Sequence, residues 1–358
     1  MSLLATTCAR IAEPDEDVAA RTQLLLDDKT KPRRSLGRLE EIACRVAAMR
    51  GEDRPALPDK AIVVMAADHG VAAEGVSAYP QEVTRQMLLN FVRGGAAINV
   101  LARHAGARLV VVDMGVAGDP VAANDVVSRR IAPGTRSFLH GPAMAHDEAV
   151  RALEAGIALA RELAASGVTL VGTGEMGIAN TTSASALIAV LADVPVERAT
   201  GRGTGVGDAA WRHKVEVIHG AIACNRPDAD DALDVLAKLG GFEIAGLAGL
   251  VLGAAAERVP VVLDGLIASA AALVAVRLAP RARGFLLASH RSVEPGHGPL
   301  LDALGLAPLL DLELRLGEGT GAALALGLVE ASLRILHEMA SFADAGVTDS
   351  GAGAGGGA

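Results

Sequence analysis

Two glutamates in this chain lie among glycines, Glu175 in the run Gly174-Glu175-Met176-Gly177 and Glu318 in Gly317-Glu318-Gly319. Glycine beside a carboxylate lets the backbone approach a ligand closely and turns the acid toward it. Two glycine-rich stretches accompany them: GTGEMGIANTTSASAL (Gly172 to Leu187) and ATGRGTGVGD (Ala199 to Asp208), with Lys214 just beyond the second. Free backbone N–H groups in such turns hold a phosphate, and a nearby lysine supplies the countercharge. Carboxylates next to a phosphate clamp suit substitution at the anomeric carbon of a phosphorylated sugar. The transition state there is oxocarbenium-like and positive, so one carboxylate stabilises the charge while another takes a proton from the nucleophile. The residues by themselves leave the nucleophile open.

Each feature has a plainer reading. Glu318 begins a long Ala/Leu helix running to about Met339, where an acid complements the helix dipole by a few tenths of a kcal/mol to about 1. The second glycine loop could be a flexible connection with a solvated lysine. Tyr79, the chain's one tyrosine, and Met87 could fill core at helical spacing. Lys29, Lys31, Arg33, Arg34 and Arg38 form a basic cluster that is either a solvated face or an anion site.

The elements that must position these groups alternate. Val168 to Val171 is a short buried strand, followed by the glycine-rich turn, N-cap oxygens from Thr181, Thr182 and Ser183, and a helix to Leu191. Gly172, Gly174 and Gly177 also spell G-x-G-x-x-G with Asp193 downstream, but Glu175 inside that loop would repel a dinucleotide's phosphates. Strand Ala61–Ala67 ends in Asp68-His69-Gly70, and strand Arg108–Asp113 and helix Asp147–Ala165 follow. Later come helix Ile244–Ala256, strand Val259–Leu263, helix Leu266–Arg277, strand Phe285–Ala288 and the loop SHRSVEPGH. This order predicts an α/β fold, a Rossmann-like, mostly parallel sheet flanked by helices with right-handed crossovers. Sites in such sheets gather at the carboxyl ends of the strands.

Composition narrows the partners. The 358 residues are 51% hydrophobic but 2% aromatic and carry a formal net charge of −9, which speaks against nucleic acid. Cys8, Cys44 and Cys224 are too scattered for a disulfide framework and fit a reducing cytoplasm. The nine histidines show no ligand spacing and HExxH is missing, so neither metal nor cofactor is expected. The segment VVLDGL lacks the acidic pair and Thr-Gly of enzymes that use phosphoribosyl pyrophosphate, and no G-x-S-x-G elbow is present. The acidic N-terminus is no signal peptide, and the apolar runs Ile244–Ala256 and Gly265–Val276 fall short of the roughly 18 residues of a membrane span.

The combination of DHGV, VSAYPQEVTRQM, GTGEMGIANTTSASAL, GRGTGVGD with its lysine, SHRSVEPGH and LRLGEGTGAALAL resembles the nicotinate-nucleotide–dimethylbenzimidazole phosphoribosyltransferase family over residues 29–340. Arg33-Arg34 departs from it, standing where the family has a small or Pro-Gly-like pair before SLGRLE. The resemblance implies transfer of the phosphoribosyl group of nicotinate mononucleotide to 5,6-dimethylbenzimidazole. Nicotinate leaves and α-ribazole 5′-phosphate forms with inversion, in assembly of the cobalamin lower ligand. It implies Glu318 as general base and Glu175 as second carboxylate. Tyr79, Met87, Met176 and Leu316 would line the flat base pocket, and Gly177, Asn180, Gly203, Lys214 and Ser292 would meet phosphate and ribose. It also implies a homodimer with a small helical domain made from both chain ends: residues 1–30 and 325–345 around a catalytic domain of 31–324. The glycine-rich composition of the tail at 346–358 predicts disorder there, and the cysteines place the protein in the cytoplasm. Three rivals remain at this stage: a nicotinate-nucleotide hydrolase using water, a non-catalytic nucleotide carrier, and an NAD-dependent dehydrogenase resting on the glycine fingerprint.

Overall fold

The computed structural model describes residues 2–121, 125–203, 205 and 207–348. The chain begins with helices α1 (Leu3–Arg10), α2 (Glu16–Asp27) and α3 (Arg38–Arg50) before strand β1 (Lys60–Ala67). Then come α4 (Glu82–Arg93), α5 (Ala97–His104), β2 (Arg108–Gly115), β3 (Val126–Ser128), α6 (His146–Ala165) and β4 (Leu170–Met176). Helices α7 (Asn180–Leu191), α8 (Val196–Ala199), α9 (Asp208–Asn225), α10 (Ala232–Leu239) and α11 (Phe242–Ala256) lead to β5 (Val261–Leu263). The chain closes with α12 (Leu266–Leu278), β6 (Leu286–Ala288), α13 (His297–Leu304), α14 (Thr320–Glu338) and α15 (Phe342–Ala345). The described residues form two compact units, 2–12 with 59–325 and 13–58 with 326–348.

The larger unit holds a six-stranded sheet in the order β3-β2-β1-β4-β5-β6. All its pairings are parallel, as the alternation of strands and helices requires. The direction of winding reverses between β1 and β4, and the crevice at their carboxyl ends is where such sheets hold ligands. Every residue of β1 is buried, which explains its unbroken apolar run. Helix α11 is buried on all sides save its last residue. It packs on α6 through small residues: a Cβ on Gly156 would collide with the Gly246 carbonyl, and one on Gly249 with the Leu153 carbonyl.

The opening motif is corrected by the structure. Its first half is strand, not turn, because β4 stays in register with β1 from Lys60↔Leu170 to Ala66↔Met176. Gly172 and Gly174 therefore lie inside the sheet, and only Gly177 to Ala179 turn. A dinucleotide fingerprint needs its glycines in that turn, so the dehydrogenase reading loses its basis. Nor do Thr181, Thr182 and Ser183 cap α7. The cap position is Ala179 at φ 73° with no side-chain bond, and the three hydroxyls lie within the helix.

In the smaller unit, Thr30 N–H bonds to the Ala340 carbonyl (3.1 Å), joining its two stretches of chain. Lys29 Nζ donates to the Met339 carbonyl at 2.6 Å, and Lys31 forms a buried ion pair with Glu40 at 2.8 Å. Two members of the basic cluster are thus structural, while Arg33 and Arg34 are exposed. The unit boundaries differ from those expected. Residues 1–12 join the sheet unit, where the Leu4 N–H bonds to Glu154 at 3.1 Å, and residues 31–58 join the smaller one. Of the tail expected at 346–358, Gly346 caps α15, and residues 349–358 lie outside the described residues. Among the described residues no helix is long and apolar enough to cross a membrane.

Candidate active site

Glu175 and Glu318 meet through interlocking glycines. A Cβ on Gly174 would collide with the Glu318 carbonyl, and one on Gly317 with Glu175 Oε1. Each glycine therefore makes room for the other segment's glutamate. Glu318 has a left-handed backbone, φ 63°, a conformation costly for a non-glycine residue and concentrated at functional sites. What holds it there is Asp264, the residue after β5. Its carboxylate accepts from the N–H groups of Gly319 (3.0 Å), Gly321 (2.7 Å) and Ala322 (3.1 Å). Asp264, rather than Glu318, thus satisfies the start of α14, which overturns the reading of Glu318 as a dipole partner and leaves its carboxylate for the cavity. Glu175 is fixed by Asn180, whose Nδ2 donates to Oε2.

Both glutamates line a cavity of about 530 Å³. Tyr79, Met87, Met176 and Leu316 form apolar wall, and Gly177, Asn180, Gly203 and Ser292 are also on the lining. Tyr79 is 55% exposed and Leu316 58%, so neither is core filler. Lys214 stands one layer back, buried, with Nζ donating to Thr181 Oγ1 at 2.7 Å, and Thr181 is on the wall. Gly203 packs tightly here: a Cβ on it would lie 2.7 Å from Thr181 Oγ1 and 3.4 Å from Lys214 Nζ. Ser292 is placed by His297, whose Nδ1 accepts its N–H at 2.9 Å. Burial and the nearby His290 and Arg291 push His297 down to about 3, so it is neutral, with Nε2–H facing Ser269 Oγ at 3.1 Å.

The site is rich in buried acid. Burial, with the fields of Asp264, Glu243 and Glu318, pushes Glu175 up to about 8 against the Asn180 hydrogen bond. Asp264 is pushed by burial up to about 7 despite its backbone donors. Glu318 is raised by burial against a backbone hydrogen bond from Ile98, at the start of α5, and its Oε2 is buried with no partner. Burial lowers Lys214 to about 8. Like charges that resist ionisation together are a site prepared for a cation between them.

Behind Gly177, His69 bridges Ser183 Oγ (3.1 Å, through Nδ1) and Glu243 Oε1 (2.6 Å, through Nε2). This Ser-His-Glu set is not hydrolytic. It is buried throughout, and Ser183 donates its hydroxyl to the Gly240 carbonyl at 3.1 Å. Its effect is to tie β1, α7 and α11 together under the turn. Among the described residues, no group of three or more His, Cys, Asp or Glu could hold a metal ion. Sequence reasoning missed the roles of Asp264, Ile98, Thr181 and Glu294. Only Asp264, a lone acid after an apolar strand, gave a signal that strand-end logic could have used.

Known proteins resemble this chain in sequence and in fold. A family model described as phosphoribosyltransferase matches residues 11–347. The nicotinate-nucleotide–dimethylbenzimidazole phosphoribosyltransferase of Chloroflexus aggregans is 56% identical over 349 residues, 98% of this chain and 99% of that one. The protein of the same name from Geobacter sulfurreducens is 55% identical, over 98% and 99% of the two chains. Among solved structures, CobT from Thermus thermophilus superposes with a TM-score of 0.89 at 50% identity, covering 93% of this chain and all of that one. Matched in this way over nearly its whole length, the chain belongs to the nicotinate-nucleotide–dimethylbenzimidazole phosphoribosyltransferase family.

Proposed function

We propose that this protein transfers the phosphoribosyl group of nicotinate mononucleotide to 5,6-dimethylbenzimidazole. The products are nicotinate and α-ribazole 5′-phosphate, with inversion at the anomeric carbon, in assembly of the cobalamin lower ligand. The observation that carries this reading is one cavity combining a Tyr/Met wall, two buried glutamates and a glycine-lysine pole. A flat apolar base stacks on Tyr79, Met87, Met176 and Leu316, while Gly177, Asn180, Gly203 and Ser292 receive ribose and phosphate and Lys214 supplies countercharge from behind Thr181.

In the transfer, one ring nitrogen of the base attacks the anomeric carbon as the glycosidic C–N bond breaks and its electron pair leaves with nicotinate. The other ring nitrogen becomes acidic and gives its proton to Glu318, whose Oε2 has no partner within the protein. A base with a raised pKa drives such a transfer better near neutral pH. Glu175, mostly protonated near neutral pH in the free protein, gives its proton to solvent as the bound pyridinium ring brings positive charge beside it, and the carboxylate then stabilises the oxocarbenium-like centre. Apolar walls keep water from the anomeric carbon, which favours transfer over hydrolysis.

Mass spectrometry of products, with and without 5,6-dimethylbenzimidazole, tests the reading. Ribazole phosphate that depends on the base, formed with an equal amount of nicotinate, is expected. Ribose phosphate released in both tubes would make the protein a hydrolase. Glu318→Gln should lower turnover by roughly 10²–10⁴-fold while still binding the nucleotide. The proposal includes a homodimer in the cytoplasm. The three unpaired cysteines agree with a reducing compartment, and sedimentation velocity measures the assembly.

A further inference from the structure

Gly203 has opposite charges as neighbours. Its N–H is held by the carboxyl of Glu294, and Lys214 Nζ lies 3.4 Å from where a Cβ would be. Glu294 Oε2 is buried with no partner, pressed against Gly201 so closely that a Cβ there would collide with it. Glu294 lines the substrate cavity and also a second cavity of about 530 Å³ shared with Glu197, Arg202, Trp211 and Arg315. An acid so placed does in the free protein what a phosphate would do in the complex. It accepts the loop N–H and balances the lysine. Two anions sharing one N–H and one lysine in a buried site resist being ionised together.

We propose that Glu294 is an internal stand-in for the substrate's phosphate. As a carboxylate it holds the Gly203 N–H and balances Lys214, and when the phosphate enters it takes a proton from solvent and releases both. The step is proton binding alone, carboxylate plus H⁺ giving the carboxylic acid, with no other bond made or broken. It makes Glu294 a positioning residue that acts through Gly203 and Lys214. The inference rests on the reading of those two residues as the phosphate seat.

Of the groups around Glu294, Lys214 is the other that exchanges protons near neutral pH, and His290, on the same cavity lining, is lowered by burial. Lys214 of α9, with a pKa near 8, is mostly cationic at neutral pH. Glu197 of α8 is held below its ordinary value by His219 and stays ionised. His297 of α13, whose N–H bonds to the Glu294 carbonyl at 3.0 Å, stays neutral. Arg202 on the glycine loop and Arg315 before α14 bring guanidinium groups to the second cavity. Burial already raises Glu294 against the field of Lys214.

The test is calorimetric titration of the full chain with ribose 5-phosphate near pH 7, where a phosphate monoester with second pKa of about 6 is mostly dianionic and Lys214 is already mostly protonated. Running it in two buffers of different protonation enthalpy counts the protons exchanged. This ligand carries no cationic ring, so Glu175 is not drawn in. Wild type should take up protons on binding, and its affinity should tighten as pH falls toward 6. Glu294→Gln should take up fewer and bind about 10-fold tighter, within the 5–150-fold range usual for coupled sites. Equal proton counts in wild type and E294Q would overturn the proposal, as would a wild type that exchanges none, whatever the variant does. Lys214→Met separates the two readings. Loss of binding in K214M with an unchanged count in E294Q would leave the seat standing without Glu294. Binding by K214M as tight as wild type would remove the seat and the proposal together.

Discussion

Glu175 and Glu318 are acids whose neighbours make them resist ionisation, and that has separable consequences. Glu318 must be ionised to act as base, so turnover should fall as pH drops through its raised pKa. In Glu318→Gln that acid limb should vanish along with most of the rate, and a pH profile of the residual activity checks it. Glu175 affects stability instead. Its pKa in the fold is about 8 against an ordinary 4.5, so the folded protein holds a proton that the unfolded chain gives up. This contribution is fully present below 4.5 and is lost as pH rises through 8. Glu175→Gln should therefore melt at higher temperature than wild type, by a margin that widens from about pH 5 to 8 and then levels. A margin independent of pH in thermal denaturation would contradict this. Both glutamates were legible in the sequence because glycines beside them are a local signal. Glu294 was not, since its significance comes from Gly201, Gly203 and Lys214, which only folding brings to it.

The elements that carry these acids are set by contacts between distant segments. Glu318 depends on Asp264, which lies 54 positions earlier and binds the first N–H groups of α14. Asparagine could accept some of these bonds but would turn its NH₂ toward the others. Asp264→Asn should cost about 1–3 kcal/mol of stability and lower kcat with little change in KM for the nucleotide, because the proposed phosphate seat lies on other elements. Steady-state kinetics beside denaturant unfolding separates the two effects, and a rise in KM alone would show that Glu318 does not rely on this clamp. The extent of β4 was hidden for a similar reason. Thr173, Gly174 and Glu175 look like turn when read locally, but the ladder to β1 continues through them, and Gly174 is glycine because the Glu318 backbone crosses it. Strand β3, α5, α9, α10 and α13 likewise went unread. They are short, or their burial follows no clean period, whereas β1 and α11 announced themselves by unbroken apolar runs.

For the molecule as a whole, alternation of strand and helix was enough to predict a parallel sheet, and the order of the strands then located the site at the reversal between β1 and β4. With so few aromatics, the core gains its density by bringing backbones close, and glycine serves two distinct purposes in it. At Gly156, facing Gly246, it allows α6 to lie against α11; at Gly174 it allows the Glu318 segment to cross β4. Adding a methyl at either place overpacks a buried contact and should cost about 1–3 kcal/mol. The effects on catalysis should differ. Gly156→Ala pushes helices apart away from the cavity lining, so the folded fraction should keep its kcat and KM. Gly174→Ala displaces Glu318, the general base of the proposed transfer, and a shift of about 1 Å is enough to lower turnover by roughly 10²-fold. Measuring both variants at a temperature where each is still folded decides the matter. Equal losses of kcat would mean that the α6–α11 contact and the site move as one, and a fully active G174A would mean that Glu318 is positioned from α14 and Asp264 alone.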